Sequence, residues 1–126
     1  MLNSERMIKF SSLIEKAKEV YLLVLCDLII CKISESQGYE LTVEALKKCW
    51  NWVQFKSVTA DQLYYYLENL DENDIMTYSL LENNANNEAV WICISNTLAY
   101  IIRAAYRYAR EKYIPQTIEC VGAENM

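Results

Sequence analysis

The sequence predicts an all-α fold, a single-domain bundle of about five helices over residues 1–126. Three observations carry that expectation. Apolar residues recur at spacings of three and four along nearly the whole chain, the period of helices with one buried face. Only two glycines and one proline occur, too few for the many tight turns of a β-sandwich. Some 53 % of the residues are apolar, ample for a chain of one-domain length to bury roughly two-thirds of its unfolded surface. No repeat, linker or low-complexity stretch divides it.

The first helix is expected over about residues 4–33. Leu13, Ile14, Ala17, Val20, Tyr21, Val24, Leu25 and Leu28 form its buried face, and its second half is apolar almost all round. Residues 34–40, with Gly38, read as a loop. Thr42 is the expected N-cap of a second helix to about Phe55, with Ala45, Leu46, Cys49, Trp50 and Val53 inward. Thr59 and Gln62 have capping-box spacing and start a third helix. Leu63, Tyr66, Leu67 and Leu70 should line its inner side; Asp61, Tyr64 or Tyr65, Glu68 and Glu72 should line its outer side. Residues 71–74 turn and cap a short fourth helix over 75–82, and asparagines between 83 and 87 break the pattern.

The last helix is expected over about 87–113. Val90, Trp91, Ile94, Leu98, Ile101, Ile102, Ala105 and Tyr108 point inward, and Asn96, Tyr100, Arg103, Arg107 and Arg110 outward. Pro115 stops it, and the apolar tail 117–121 packs back on the bundle. The charges are distributed unevenly over these elements. Residues 57–102 contain no lysine or arginine, while Asp61, Glu68, Asp71, Glu72, Asp74, Glu82 and Glu88 fall within them; the whole chain is only −5. A one-sided field of this kind attracts and orients a basic partner. Tyrosines are interleaved with the acids, and Tyr and Trp dominate interface hot spots. Asp74 and Glu88 stand near helix starts, where a carboxylate meets exposed amides.

Composition excludes much chemistry. There is no histidine, which removes the commonest general base and metal ligand together and rules out Cys-His and Ser-His-Asp nucleophiles. There is no glycine-rich phosphate loop and no zinc spacing. The segment 71–74 resembles part of a calcium loop but lacks the EF-hand spacing and glycine. No enzyme, cofactor or metal is expected. The five cysteines, odd in number and without Cys-x-x-Cys pairing, read as reduced thiols in a cytosol. The N-terminus mixes both charges and is not a signal peptide. The apolar run 20–33 contains Asp27 and Lys32 and is too short to span a bilayer, so no membrane association is expected. With a pI near 4.8, the arginines of the last helix do not make a nucleic-acid surface.

Residues 41–74 (LTVEALKKCWNWVQFKSVTADQLYYYLENLDEND), with AVWICISNTLAYIIRAAY and YIPQTIECV further on, resemble an all-helical immunity-protein family of bacterial polymorphic toxin and contact-dependent growth inhibition systems. The resemblance implies an antitoxin that stays in the cytoplasm of the producing cell. There it would bind and neutralise the toxic C-terminal domain of a cognate secreted effector, in many cases a nuclease with a basic cleft. The partner-binding residues expected from charge and helical face are Asp61, Tyr64, Tyr65, Glu68, Asp71, Glu72, Asp74 and Tyr78. The free protein is expected to be a monomer or weak homo-oligomer. The rival reading is a non-enzymatic helical adaptor that self-associates through exposed Trp52, Tyr64 and Tyr78.

Overall fold

The computed structural model describes residues 2–109 and Ile118, with backbone alone for residues 2–5 and Ile8. Among the described residues the chain forms α1 (Leu2–Ile29), α2 (Tyr39–Phe55), α3 (Ala60–Leu67), α4 (Ile75–Leu81) and α5 (Glu88–Ala109), two short 3-10 turns (Ile30–Ile33 and Ala85–Asn87), and no strand. The all-α expectation of five helices in one small domain holds. The expected stop at Pro115, the end of the last helix at 113, Arg110 and all of the tail 117–121 except Ile118 lie outside the described residues; Ile118 is fully buried.

The centre of the bundle is α5, which packs against all four other helices. Val90, Trp91, Ile94, Leu98, Ile101, Ile102 and Ala105 are buried as expected. Tyr108 is not: it is 63 % exposed, and Tyr106 takes the inward place. At the end of α2, Trp52 meets the Tyr108 ring edge-on at 6.1 Å. The stretch Ala85–Ala109 is long and apolar enough to cross a membrane, but 56 % of its most apolar window is buried inside the fold, the pattern of a core helix.

α1 is turned differently from the expectation. Leu13, Ile14, Tyr21, Val24 and Leu28 are exposed, while Glu19, Leu23 and Cys26, on the other side of the same helix, face the bundle. The thiol of Cys26 points at the Cys93 carbonyl of α5, 4.0 Å away. Both sides of this helix are apolar, so periodicity alone does not select the one that packs. The expected single helix to 33 ends as α at Ile29 and closes in a 3-10 turn whose last residue, Ile33, is buried.

α2 begins three residues before the expected cap. Its N-cap is Gly38, in the left-handed region at φ +87°. Thr42 lies inside the first turn instead, buried, with its hydroxyl donating to the Gly38 carbonyl at 2.8 Å. A side chain at 38 is excluded twice over, by the positive φ and because its Cβ would stand 2.6 Å from Tyr78 Cδ2. Ala45, Leu46, Cys49 and Val53 are buried as expected. Trp50 is half-buried, its indole N–H donating to Asp27 Oδ2 at 2.9 Å. Trp52, the aromatic proposed for self-association, is only 4 % exposed.

The capping box of α3 is formed as expected: the Gln62 amide donates to Thr59 Oγ1 at 3.1 Å and the Thr59 amide to Gln62 Oε1 at 2.8 Å. Such a cap is worth about 1 kcal/mol. The helix stops at Leu67, one turn early, because Glu68 is extended (φ −152°). Leu70, expected inward, is fully exposed.

Candidate functional site

The early stop of α3 turns the expected helical stripe into a loop, residues 68–74, that carries most of the acids. One neutral side chain organises it. The Asn69 amide group donates to the carbonyls of Tyr65 (2.9 Å) and Asn73 (2.8 Å). Its Oδ1 accepts from the backbone amides of Asp71 (2.9 Å) and Asn73 (3.4 Å). Asn69 thus caps a helix carbonyl and closes an Asx-type turn in the same step.

Asp74 fixes the other end of the loop. As N-cap of α4 it accepts from the Thr77 amide at 2.7 Å, and its second oxygen accepts from the Asn69 amide at 2.8 Å. Asp74 is 1 % exposed. The cap role matches the sequence reading, but Asp74 lies behind the acidic surface and not on it. Tyr78 is likewise a support: half-buried, it packs over Gly38 and donates to Asn73 Oδ1 at 2.6 Å.

The remaining expected site residues stand at the surface. Glu68, Asp71 and Glu72 are exposed on the loop, Glu72 in the left-handed region at φ +56°. Tyr65, half-exposed, donates to Asp71 Oδ2 at 2.8 Å, and that bond, with the Asp71 charge, raises the phenol pKa. Tyr64 reaches Glu68 Oε2 at 3.4 Å while its ring packs on the core. Asp61 is exposed in the first turn of α3 and accepts from the buried Tyr106 hydroxyl at 2.6 Å, joining α3 to α5. Three of these carboxylates thus each accept from a tyrosine: Asp61 from Tyr106, Glu68 from Tyr64 and Asp71 from Tyr65.

Glu82, an acid of the same stretch, does different work. Its Oε1 accepts from Ser36 Oγ at 2.6 Å and from the buried Trp91 indole at 2.8 Å, and Oε2 from the Asn84 amide at 3.2 Å. The Ser36 and Trp91 bonds hold its carboxyl well below the usual range, at about 2. It ties the end of α4 to the loop before α2 and to α5.

A groove elsewhere on the bundle was not foreseen from the sequence. A groove of ≈ 850 Å³ runs between α1, the end of α2 and the end of α5. Lys56 stands in it, its ammonium 4.1 Å from the Trp52 ring centroid and 5.4 Å from that of Tyr108, while donating to the Val53 carbonyl at 3.2 Å. Burial lowers the Lys56 pKa and raises that of the nearly buried Glu19, and their mutual attraction opposes both shifts. Tyr100, pushed up to about 12 by burial and by Glu15, donates to Glu15 Oε2 at 2.9 Å. Arg103 and Arg107 line this groove, and Arg103 donates to the Ile118 carbonyl at 3.5 Å. Its residues lie between positions 7 and 108, so no local motif announces it.

Among the described residues, no three Cys, Asp or Glu side chains come together as a metal site. Burial drives the thiols of Cys26 (to about 12) and Cys49 upward, away from nucleophilic reactivity. No curated protein and no solved structure matches this chain. The family model of immunity protein Imm6 does match, over residues 17–126, from within α1 through α5. An all-helical single domain agrees with that match: the chain belongs to the Imm6 family of immunity proteins, whose function is immunity against a toxin protein.

Proposed function

We infer that the chain acts in the cytoplasm of the producing cell as a stoichiometric, non-enzymatic antitoxin of a polymorphic toxin or contact-dependent growth inhibition system. It binds the toxic C-terminal domain of a cognate secreted effector, a nuclease with a basic cleft, through the surface formed by Asp61, Tyr64, Tyr65, Glu68, Asp71 and Glu72. Asp74 and Tyr78 hold that surface from behind. The observation that carries the reading is the loop 68–74: three exposed carboxylates on a hydrogen-bonded turn, within a stretch of chain free of any basic residue. Clustered charge of one sign accelerates encounter with an oppositely charged cleft, while fixed aromatics slow dissociation. A preformed loop also loses little entropy on binding.

The test is the association rate with the toxin domain of the cognate effector. Changing Glu68, Asp71 and Glu72 together to lysine is expected to slow association about tenfold or more at low salt, with the helical spectrum unchanged, and to abolish protection of cells. Unchanged association and protection would refute this surface.

A further inference from the structure

We propose that the outer face of α1 is a dimerisation seam, pairing with α1 of a second copy of this chain as a parallel two-stranded coiled coil. The proposal is independent of the acidic loop. Along this face the residues alternate at spacings of three and four without a break. Met7, Ile14, Tyr21 and Leu28 occupy one set of heptad positions (a), and Phe10, Ala17, Val24 and Cys31 the other (d). Three and a half heptads is the length at which such a pattern argues for a coiled coil. Cys31 lies in the 3-10 turn, where residues three apart eclipse, so it stays in line with Leu28.

Every position of the seam is exposed, and the six large side chains between 40 and 68 %. The opposite face of α1 is already used: Glu19, Leu23 and Cys26 are buried against the bundle. A stripe about 36 Å long is at the upper end of the contiguous apolar surface that a monomer leaves in water. Pairing two such stripes removes roughly 600 Å² per copy, about 1,200 Å² in all, at the threshold for a stable specific interface.

The flanking charges select a second copy and its direction. In a parallel pair each g residue meets the e residue of the following heptad in the other copy. Asp27 then meets Lys32 of the second copy, twice by symmetry, with Asp27 held at the seam edge by its bond from Trp50. Leu13 lies along the aliphatic stem of the second copy's Lys18, and Val20 meets Leu25. An antiparallel pair using the same core positions would instead set the two Lys18 side chains against each other across the two-fold axis. The acidic loop, carried by α3 and α4, is on neither seam, so a dimer offers two of them.

The parallel register places the two Cys31 thiols side by side. In sedimentation equilibrium the full chain is expected at about twice its 14.7 kDa mass, with the doubling lost on dilution. Tyr21→Glu combined with Leu28→Glu should return it to the single mass with its helical spectrum intact. As a check that needs no destabilising variant, diamide, taking one hydrogen from each of two thiols, should join the unchanged protein into a covalent dimer, and Cys31→Ser should prevent it. A single-mass species at all concentrations overturns the proposal, as does a dimer that survives the double variant. A dimer that Cys31 does not cross-link overturns the parallel arrangement. A monomer whose double variant loses affinity for the toxin domain assigns the seam to the toxin and overturns the second-copy reading.

Discussion

Among the described residues, Glu82 ties together more of the tertiary structure than any other acid, and its removal gives a measurable consequence. In Glu82→Ala the Trp91 indole N–H, in a residue 2 % exposed, loses its acceptor at 2.8 Å, and Ser36 and the Asn84 amide lose theirs. Leaving a buried donor unsatisfied costs about 1–3 kcal/mol, and bonds to a charged acceptor are the stronger kind. Ser36 and Asn84 can turn to water, so the net loss should be about 2–3 kcal/mol. For a domain of this size that lowers Tm by roughly 6–15 °C. Glu82→Gln keeps an acceptor for Trp91 and should lose about half as much. The proton provides an independent signature. A carboxyl at about 2 in the fold and 4.5 when unfolded contributes stability that is complete above the unfolded value and is lost as pH falls from about 4.5 toward 2. Thermal melts between pH 7 and pH 3 should therefore show wild type and Glu82→Gln converging at the acid end. A change of less than 2 °C in the alanine variant at neutral pH, or parallel pH profiles for wild type and glutamine, would refute this account of Glu82.

Asp74→Ala removes both the α4 cap and the Asn69 anchor and should cost about 2 kcal/mol, read from urea unfolding, with Asp74→Asn closer to wild type. Gly38→Ala meets a positive φ and the Tyr78 ring, and should destabilise by more than about 1 kcal/mol; Tyr78→Ala in the same background should restore part of the loss. In thiol titration of the native protein, Cys31 should react with an aromatic disulfide reagent within minutes while Cys26 and Cys49 wait for unfolding, because burial raises their pKa and blocks access.

The features legible in the sequence are those whose partners are close along the chain. The Thr59–Gln62 box and the Asp74 cap each join residues three apart, and both are present. The start of α2 was not legible: Thr42 is a good cap by type, but Gly38, pressed against Tyr78 forty residues away, allows the helix to begin earlier. The outer stripe of α3 failed at Glu68 because Asn69 competes for the terminal carbonyl, and a side-chain cap overrides continued helical periodicity. For α1 the pattern held but the facing did not, since two apolar faces fit one period. The Glu82 junction spans 46 residues to Ser36, and only the folded chain reveals it.

The organisation of the loop by Asn69 has a consequence for how such a protein can change. The turn is held by a neutral amide and by the buried Asp74, and the outward carboxylates of Glu68 and Glu72 hold none of it. Glu68 can be exchanged for another residue while the backbone keeps its course, and Glu72 for one that tolerates its left-handed backbone. An antitoxin that must follow an altering toxin can thus rewrite its lettering one side chain at a time, with the page beneath it left intact.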